Sequence, residues 1–264
     1  MSKSIIATAS AVLLLSACSQ PSHAPTAAEA GTATQEIATP ALPADGATLL
    51  DQVVASGATF GWLKTLKKLY PEEYAAAGKR LLNRLGDNPA ETELKLQMIA
   101  DLQPFMAARK AELSKAPDAA LLHYLQLNTA VAERFLDEDP KACGDVFRGQ
   151  LDPSAPRSDA VYEAMSAATN QLLIAAHEAR AHPTSRAETR LTPADVQRWR
   201  AAMESRGMTE EDLALLNDPA QRAAATPRRM CELRILMMKA AAQAPDLAAK
   251  IILSSQPRDA ATAR

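Results

Sequence analysis

Three cysteines have the widest range of chemistry in this chain: Cys18, Cys143 and Cys231. A thiol can be acylated, can form a disulfide, or can bind a metal as the thiolate. Cys143 and Cys231 have neither CxxC spacing nor a nearby His in sequence, so they match no metal or redox motif. In an oxidising compartment such a pair bonds to itself, and we predict a Cys143–Cys231 disulfide. Two separate buried thiols, or a reactive or metal-binding thiol, are the alternatives.

Cys18 follows a short leader-like segment. The chain starts with the positive charges of Met1 and Lys3, and an apolar run from Ile5 to Leu15 follows. This run is too short to remain as a transmembrane helix, so we interpret it as a signal segment that is removed after export.

The end of the leader, Leu15-Ser16-Ala17-Cys18, resembles the lipobox of bacterial lipoproteins, whose Cys receives a diacylglyceryl group and becomes the first residue after cleavage. The resemblance implies a signal peptide over residues 1–17, acyl chains such as palmitate on Cys18, and attachment to a bacterial membrane. Ser19 stands where Asp would favour the inner membrane, so the outer membrane is expected. The resemblance implies nothing about the fold. Ordinary secretion, with Cys18 incidental, is the alternative.

Residues 19–46 have the composition of a linker. They are rich in Ala, Thr, Pro and Ser and contain no Lys, Arg or aromatic residue. Such a stretch cannot bury enough apolar area to offset the entropy of ordering it. We therefore predict that residues 18–46 form the lipidated Cys and a disordered tether, which holds the folded part away from the membrane on the periplasmic side.

The histidines form no catalytic or metal motif. His177 and His182 are five residues apart, which separates their imidazoles by about 140° around a helix, whereas the zinc-protease HExxH spacing places them on one face. His182 is interpreted as a solvated helix end. The sequence has no nucleophile elbow, phosphate-binding glycine loop or dinucleotide fingerprint. We predict no catalytic residue, no cofactor and no metal ligand.

Two segments supply candidate contacts for a partner or a membrane. The first, from Phe60 to Tyr70, has the pattern of a basic amphipathic helix, which packs on a domain with its lysines in water or lies on a membrane surface. Packing is the favoured interpretation. Its candidates are Trp62, Lys64, Lys67, Lys68 and Tyr70, and the second segment adds Arg198, Trp199 and Arg200. The alternative for the second segment is a core tryptophan between solvated arginines.

Composition favours helices and argues against nucleic acid. The chain has 264 residues, 56 of them Ala, and a formal net charge of -2. Ala favours helix and β-branched residues, which strands need, are scarce. A nearly balanced charge lacks the basic surface that nucleic acids require. We predict an all-α, irregular multi-helix bundle of about ten helices with no solenoid period.

Capping residues followed by proline mark helix starts, as at Asp139–Pro140, Thr192–Pro193, Asp218–Pro219 and Thr226–Pro227. The predicted helices cover residues 47–57, 60–69, 71–85, 89–114, 117–136, 140–148, 159–181, 193–206, 209–224, 227–243 and 246–254. Pro104 is expected to kink or split the fourth of them. 

The helical domain is expected to span residues 47–254, with the loop 149–158 as a candidate subdomain joint and residues 255–264 as a flexible tail. The helix over 227–243 is apolar nearly all round, which predicts a central position with neighbours on most sides.

A tethered helical domain without a catalytic motif is typical of a binding module. We predict a periplasmic or envelope protein as its partner, bound either as immunity-type lipoproteins bind and inhibit toxins or as an envelope assembly factor would. The alternatives are a hydrolase that acts on cell-wall or lipid material and a structural envelope spacer. Two carboxyl groups facing each other in a cleft, one with a raised pKa, would favour the hydrolase.

Overall fold

The computed structural model describes residues 45–55, 60–85, 91–148, 151–152, 154–187 and 190–254. All regular elements within these ranges are helical, which confirms the all-α prediction. The α-helices are α1 (Gly46–Ala55), α2 (Leu63–Leu69), α3 (Pro71–Leu85), α4 (Glu91–Glu112), α5 (Asp118–Glu138), α6 (Pro140–Arg148), α7 (Asp159–Ala181), α8 (Pro193–Glu204), α9 (Glu210–Asn217), α10 (Pro219–Ala224), α11 (Pro227–Ala241) and α12 (Pro245–Ser254). The predicted signal peptide, the lipidation site, nearly all of the tether and the C-terminal tail lie outside the described residues.

The predicted capping residues begin the helices. Thr192 and Asp195 exchange side-chain and backbone hydrogen bonds at the start of α8, and Thr209 and Asp212 do the same at the start of α9. Thr226 accepts a hydrogen bond from a backbone amide in the first turn of α11. These contacts satisfy amides that have no partner within the helix, so the helix starts are encoded locally.

Two details differ from the prediction. The expected helix 209–224 is divided into α9 and α10, because the Asp218 carboxylate accepts from the amides of Ala220 and Gln221 and starts a new helix at Pro219. Pro104 does not split its helix, since α4 continues through it, and the kink expected there stays a prediction. Pro104 is exposed, and on the solvent side of a helix water can satisfy the carbonyl that a proline leaves without a donor.

The apolar side chains form two clusters. The larger one centres on α5 and α7, where Tyr124, Phe135 and Leu172 have no solvent exposure, and it extends over the later helices. The smaller one is formed by α1 to α4 and is joined by Leu173 of α7. Because Leu173 and its neighbour Leu172 belong to different clusters, α7 contributes to both.

The predicted disulfide is confirmed. Cys143 of α6 and Cys231 of α11 are bonded, with their Cα atoms 5.8 Å apart, and both are fully buried. Their sulfur atoms lie 3.5 and 3.9 Å from the Ala132 carbonyl oxygen of α5. The bond therefore fixes α6 and α11 together beside α5.

The described part of the loop 149–158 returns to the junction of α5 and α6. Arg157 Nη1 donates to Asp139 Oδ2 at 3.2 Å, and the Ser158 amide donates to Glu138 Oε1 at 3.1 Å. These bonds hold the segment that follows α6 against the residues that precede α6. The subdomain joint in this loop stays a prediction.

Candidate functional site

An open groove of about 670 Å³ lies between α5 and α11, and we call it the α5–α11 groove. Its apolar lining comes from Ala130 and Leu136 on α5 and from Ile235 and Leu236 on α11. Ile235 is buried, whereas Ala130, Leu136 and Leu236 are only half-buried. Apolar surface is therefore accessible along the groove.

Local sequence and long-range packing both produce this groove. The helix that sequence predicts to be central, α11, does bury most of its apolar residues, including Met230, Leu233 and Met238. Leu236 and Met237 are the exceptions that remain half-buried. Neighbours thus cover most of the circumference of α11 and leave one side open beside α5.

Charged side chains of both signs line the α5–α11 groove: Glu133, Arg134, Asp137, Arg229, Glu232 and Lys239. Lys239 Nζ lies 2.5 Å from Glu133 Oε1, so this ion pair joins the two helices. Arg229 pairs with Asp212 of α9 and also lies 3.5 Å from Glu232. Each of these carboxylates therefore has a cationic neighbour.

Arg134 and Asp137 differ from the other charges of the groove. They are exposed, and neither forms an ion pair with another residue in the described part of the chain. They are three positions apart on α5, so they lie on the same face of that helix. An accessible apolar lining with one unpaired charge of each sign is suited to holding an amphipathic segment of another protein.

A second polar cluster surrounds Tyr70, at the end of α2. Its hydroxyl donates to the Leu173 carbonyl of α7 at 3.0 Å, and the guanidinium groups of Arg109 and Arg180 each lie 5.4 Å from its ring centre. Glu112 accepts hydrogen bonds from Arg180 and forms an ion pair with Arg109 at 3.0 Å. This cluster ties α2, α4 and α7 together where the two apolar clusters meet.

Burial affects the ionisation of two groups in the Tyr70 cluster. Burial raises the pKa of Tyr70 to about 12, and the charge of Arg180 offsets part of this effect. Burial also raises the pKa of the Glu112 carboxyl, while the charge of Lys115 acts in the opposite direction. The side chains bonded to Glu112 are arginines, so this is not the pair of facing carboxyl groups that would favour a hydrolase.

The histidine pair at the end of α7 takes two separate roles. His177 is exposed, and its ring lies nearly perpendicular to the Tyr70 ring with the centres 5.9 Å apart. His182 is the exposed residue that ends α7, as the interpretation of a solvated helix end predicts. Among the described residues, no three His, Cys, Asp or Glu side chains are grouped so that they could hold a metal ion.

The first set of candidate contact residues lies on α2 and at its ends. Tyr70 is buried and Trp62 is half-buried, while Lys64, Lys67 and Lys68 are exposed. Lys67 binds Asp51 of α1 at 2.8 Å. The apolar side of this helix therefore packs on the domain with the lysines in water, as the favoured interpretation predicts.

The second set is engaged in contacts within the domain. Trp199 is buried, and its indole N–H donates to the Met237 carbonyl at 2.9 Å. Arg198 Nη2 lies 2.6 Å from an Asp246 carboxylate oxygen, and Arg200 pairs with Glu204 at 2.7 Å. Trp199 is thus a core residue. A role of these three residues in partner contact stays a prediction.

Sequence reasoning did not identify the α5–α11 groove. Its two helices are distant in sequence, and no motif marks the residues that line it. The one local signal is the apolar character of α11 on nearly all sides, which predicts that the helix is central. This pattern does not indicate that one side of α11 is partly exposed beside α5.

Comparisons with known proteins assign neither a family nor a fold relative to this chain. No protein-family model, curated protein or solved structure matches the chain. None of the helices in the described ranges has both the length and the apolar character that crossing a bilayer requires.

Proposed function

We propose that this chain is an exported lipoprotein, anchored through Cys18 to the periplasmic face of the bacterial outer membrane, whose helical domain binds an envelope protein. The sequence Leu15-Ser16-Ala17-Cys18 supports the anchor. The bonded pair Cys143–Cys231 supports export independently, because disulfides persist in oxidising compartments.

The binding proposal rests on two charged side chains, Arg134 and Asp137, which form no ion pair among the described residues. They lie beside the accessible apolar lining of the α5–α11 groove. The groove suits an amphipathic helix with an apolar stripe that covers Leu136 and Leu236. A carboxylate on that helix would face Arg134, and a cation would face Asp137. The Cys143–Cys231 bond contributes by holding α11 beside α5 before the partner arrives, which lowers the entropy cost of binding.

Site-specific cross-linking tests the groove. A photoreactive amino acid is placed at Leu236 in the full-length exported chain, and a matched chain carries it at the exposed Arg206, outside the groove. We expect a covalent product with one protein at Leu236 and not at Arg206. Arg134→Glu should abolish that product, whereas Arg206→Glu should leave it unchanged.

Charge exchange then decides whether the contact is the proposed one. The cross-linked peptide of the partner should be an amphipathic helix, and reversing its carboxylate to lysine should restore binding to Arg134→Glu. Equal cross-linking at Leu236 and Arg206, or a product that survives Arg134→Glu, would contradict the groove as the binding site. The anchor is tested separately by incorporation of labelled palmitate, which Cys18→Ser should abolish.

A further inference from the structure

The helix α5 has an accessible seam along one side. Four residues follow one another at spacings of three, four and three positions: Leu127, Ala130, Arg134 and Asp137. This is the spacing by which one helix packs against another. Arg134 and Asp137 are exposed, and the other two residues are only half-buried. All but Leu127 line the α5–α11 groove, so the seam, which we call the α5 seam, forms one wall of the groove and is open to a further helix.

The charged side chains of the α5–α11 groove are balanced in sign. Three are acidic and three are basic: Glu133, Asp137 and Glu232, with Arg134, Arg229 and Lys239. A surface with a large net charge repels an identical surface, and it selects a partner of different sequence by the opposite sign. A balanced lining has neither property. It therefore permits contact with an identical groove.

Arg134 and Asp137 are complementary to a second copy of themselves. They lie about 4.5 Å apart along the axis of α5, and neither has an ion pair in the described part of the chain. A two-fold axis that passes between them, perpendicular to α5, places a second α5 in the antiparallel direction. Each Arg134 then faces Asp137 of the other copy, so one contact forms two equivalent ion pairs. A parallel second helix in register would place like charges together.

The same two-fold axis brings two acids toward each other at the flanks of the contact, Glu133 of one copy and Glu138 of the other. Each of them already has a partner within its own chain. Glu133 Oε1 lies 2.5 Å from Lys239 Nζ, and Glu138 accepts a hydrogen bond from the Ser158 amide at 3.1 Å. These partners reduce the repulsion between the two acids.

We propose that the α5–α11 groove binds a second copy of this chain, in a two-fold dimer whose α5 helices cross at Arg134 and Asp137. The proposal rests on the proposed function, since it names the occupant of the same groove. In this dimer Leu127 and Ala130 of each copy cover the half-buried Leu236 of the other, and the small side chain of Ala130 lets the helices approach closely. Ten residues line the groove, whereas a standard interface has about 20 to 30 per partner, so the dimer is weak and dissociates on dilution.

Cross-linking between differently tagged copies tests the dimer. Two full-length chains with different epitope tags are produced in the same cells, and one of them carries a photoreactive amino acid at Leu236. We expect a product with twice the mass of one chain that contains both tags. Its cross-linked peptide should come from α5 of the second copy, at or next to Leu127 and Ala130.

Charge reversal gives a pattern that is specific to self-pairing through the α5 seam. Arg134→Asp leaves two acids at the contact, and Asp137→Arg leaves two bases. Each variant, present in both tagged chains, should lower the yield of the two-tag product by about tenfold or more, because like charges then face each other. When one tagged chain carries Arg134→Asp and the other carries Asp137→Arg, opposite charges face each other again and the product should return. This return would also show that both variants fold.

Arg206→Asp and Glu163→Arg are matched reversals at exposed positions outside the groove. Alone or in the mixed arrangement, they should leave the yield of the two-tag product unchanged. A two-tag product that survives Arg134→Asp in both chains would overturn the proposal. Equal losses from the seam variants and the control variants, or a mixed pair of seam variants that fails to restore the product, would overturn it as well.

The same experiment separates this proposal from the proposed function. If Leu236 captures a different protein in an Arg134-dependent way and no second copy, the groove binds a partner and the dimer proposal fails. If Leu236 captures neither, both proposals fail. A two-tag product that follows the charge reversals supports both, whether or not Cys18 carries a lipid.

Discussion

The backbone of Gly46, at the start of α1, lies directly against the backbone of Gly78 in α3. A Cβ atom on either residue would overlap main-chain atoms of the other, and main chain cannot move aside as the end of a flexible side chain can. This close approach positions the first described helix, and with it the end of the segment that leads to Cys18.

We expect Gly78→Ala to lower the free energy of unfolding by about 1 to 3 kcal/mol, because the added methyl group forces α1 and α3 apart. Helix propensity alone would change stability in the opposite direction, by about 1 kcal/mol. The sign therefore distinguishes the close contact from a simple helix effect. Urea unfolding followed by circular dichroism measures it, with Lys79→Ala at the neighbouring exposed position as the control. A more stable Gly78→Ala protein would contradict the contact.

The bond between Cys143 and Cys231 closes a loop of 88 residues. Replacing both cysteines with serine should lower the free energy of unfolding by about 2 to 5 kcal/mol, mainly because the unfolded chain gains freedom. Urea unfolding with and without a reductant measures the effect. Reductant should destabilise the wild-type protein and leave the double variant unchanged. Two free thiols in protein isolated from cells without a reductant would contradict the bond.

The disulfide and the helix starts were predictable from sequence because their determinants are local or compositional. Thr192 and Thr209 cap their helices through residues three positions away, and Cys143 had a single remaining partner once Cys18 was assigned to the lipid. The predicted helix over 209–224 passes through Asp218–Pro219, although this pair carries the same capping signal as the other helix starts. The Asp218 carboxylate and Pro219 start a separate helix there.

The groove and the Tyr70 cluster were beyond sequence reasoning because they depend on which helices become neighbours. Arg134 and Leu236 line one groove although about a hundred residues separate them in sequence. Tyr70 is buried where α2 ends, and nothing local in the sequence indicates that its hydroxyl reaches the Leu173 carbonyl. Periodicity identifies the buried face of a helix and leaves its partner undetermined.

Tyr70→Phe tests the connection between α2 and α7. The variant keeps the ring and removes the hydroxyl, so the buried Leu173 carbonyl loses this donor. We expect a loss of about 1 to 2 kcal/mol in the free energy of unfolding. Hydrogen exchange should also become faster in α2. Tyr162→Phe, at a half-buried position of α7, is the matched control and should have a smaller effect. Equal effects of the two variants would mean that the Tyr70 hydroxyl contributes no specific stabilisation.

Asp195 makes stability depend on pH. Burial alone would raise its pKa, but hydrogen bonds from Lys250 and Thr192 outweigh that effect and lower the pKa from 3.8 to about 2. The Lys250 ammonium lies 2.7 Å from the Asp195 carboxylate and so joins α12 to α8. Because the folded pKa lies below the unfolded one, this contribution is complete above about pH 4 and disappears as the pH falls toward about 2.

We expect Asp195→Asn to lower the free energy of unfolding by about 2 kcal/mol at neutral pH. The loss should be much smaller near about pH 2, where the wild-type carboxyl is protonated. Urea unfolding of both proteins at a series of pH values measures the difference. Other acids titrate in the same range in both proteins, so the difference between the two curves isolates Asp195. Glu163→Gln replaces an exposed acid that has no ion pair among the described residues, and its curve should follow that of the wild-type protein. A difference between Asp195→Asn and wild type that stays constant with pH would show that the variant acts through packing and not through the charge of Asp195.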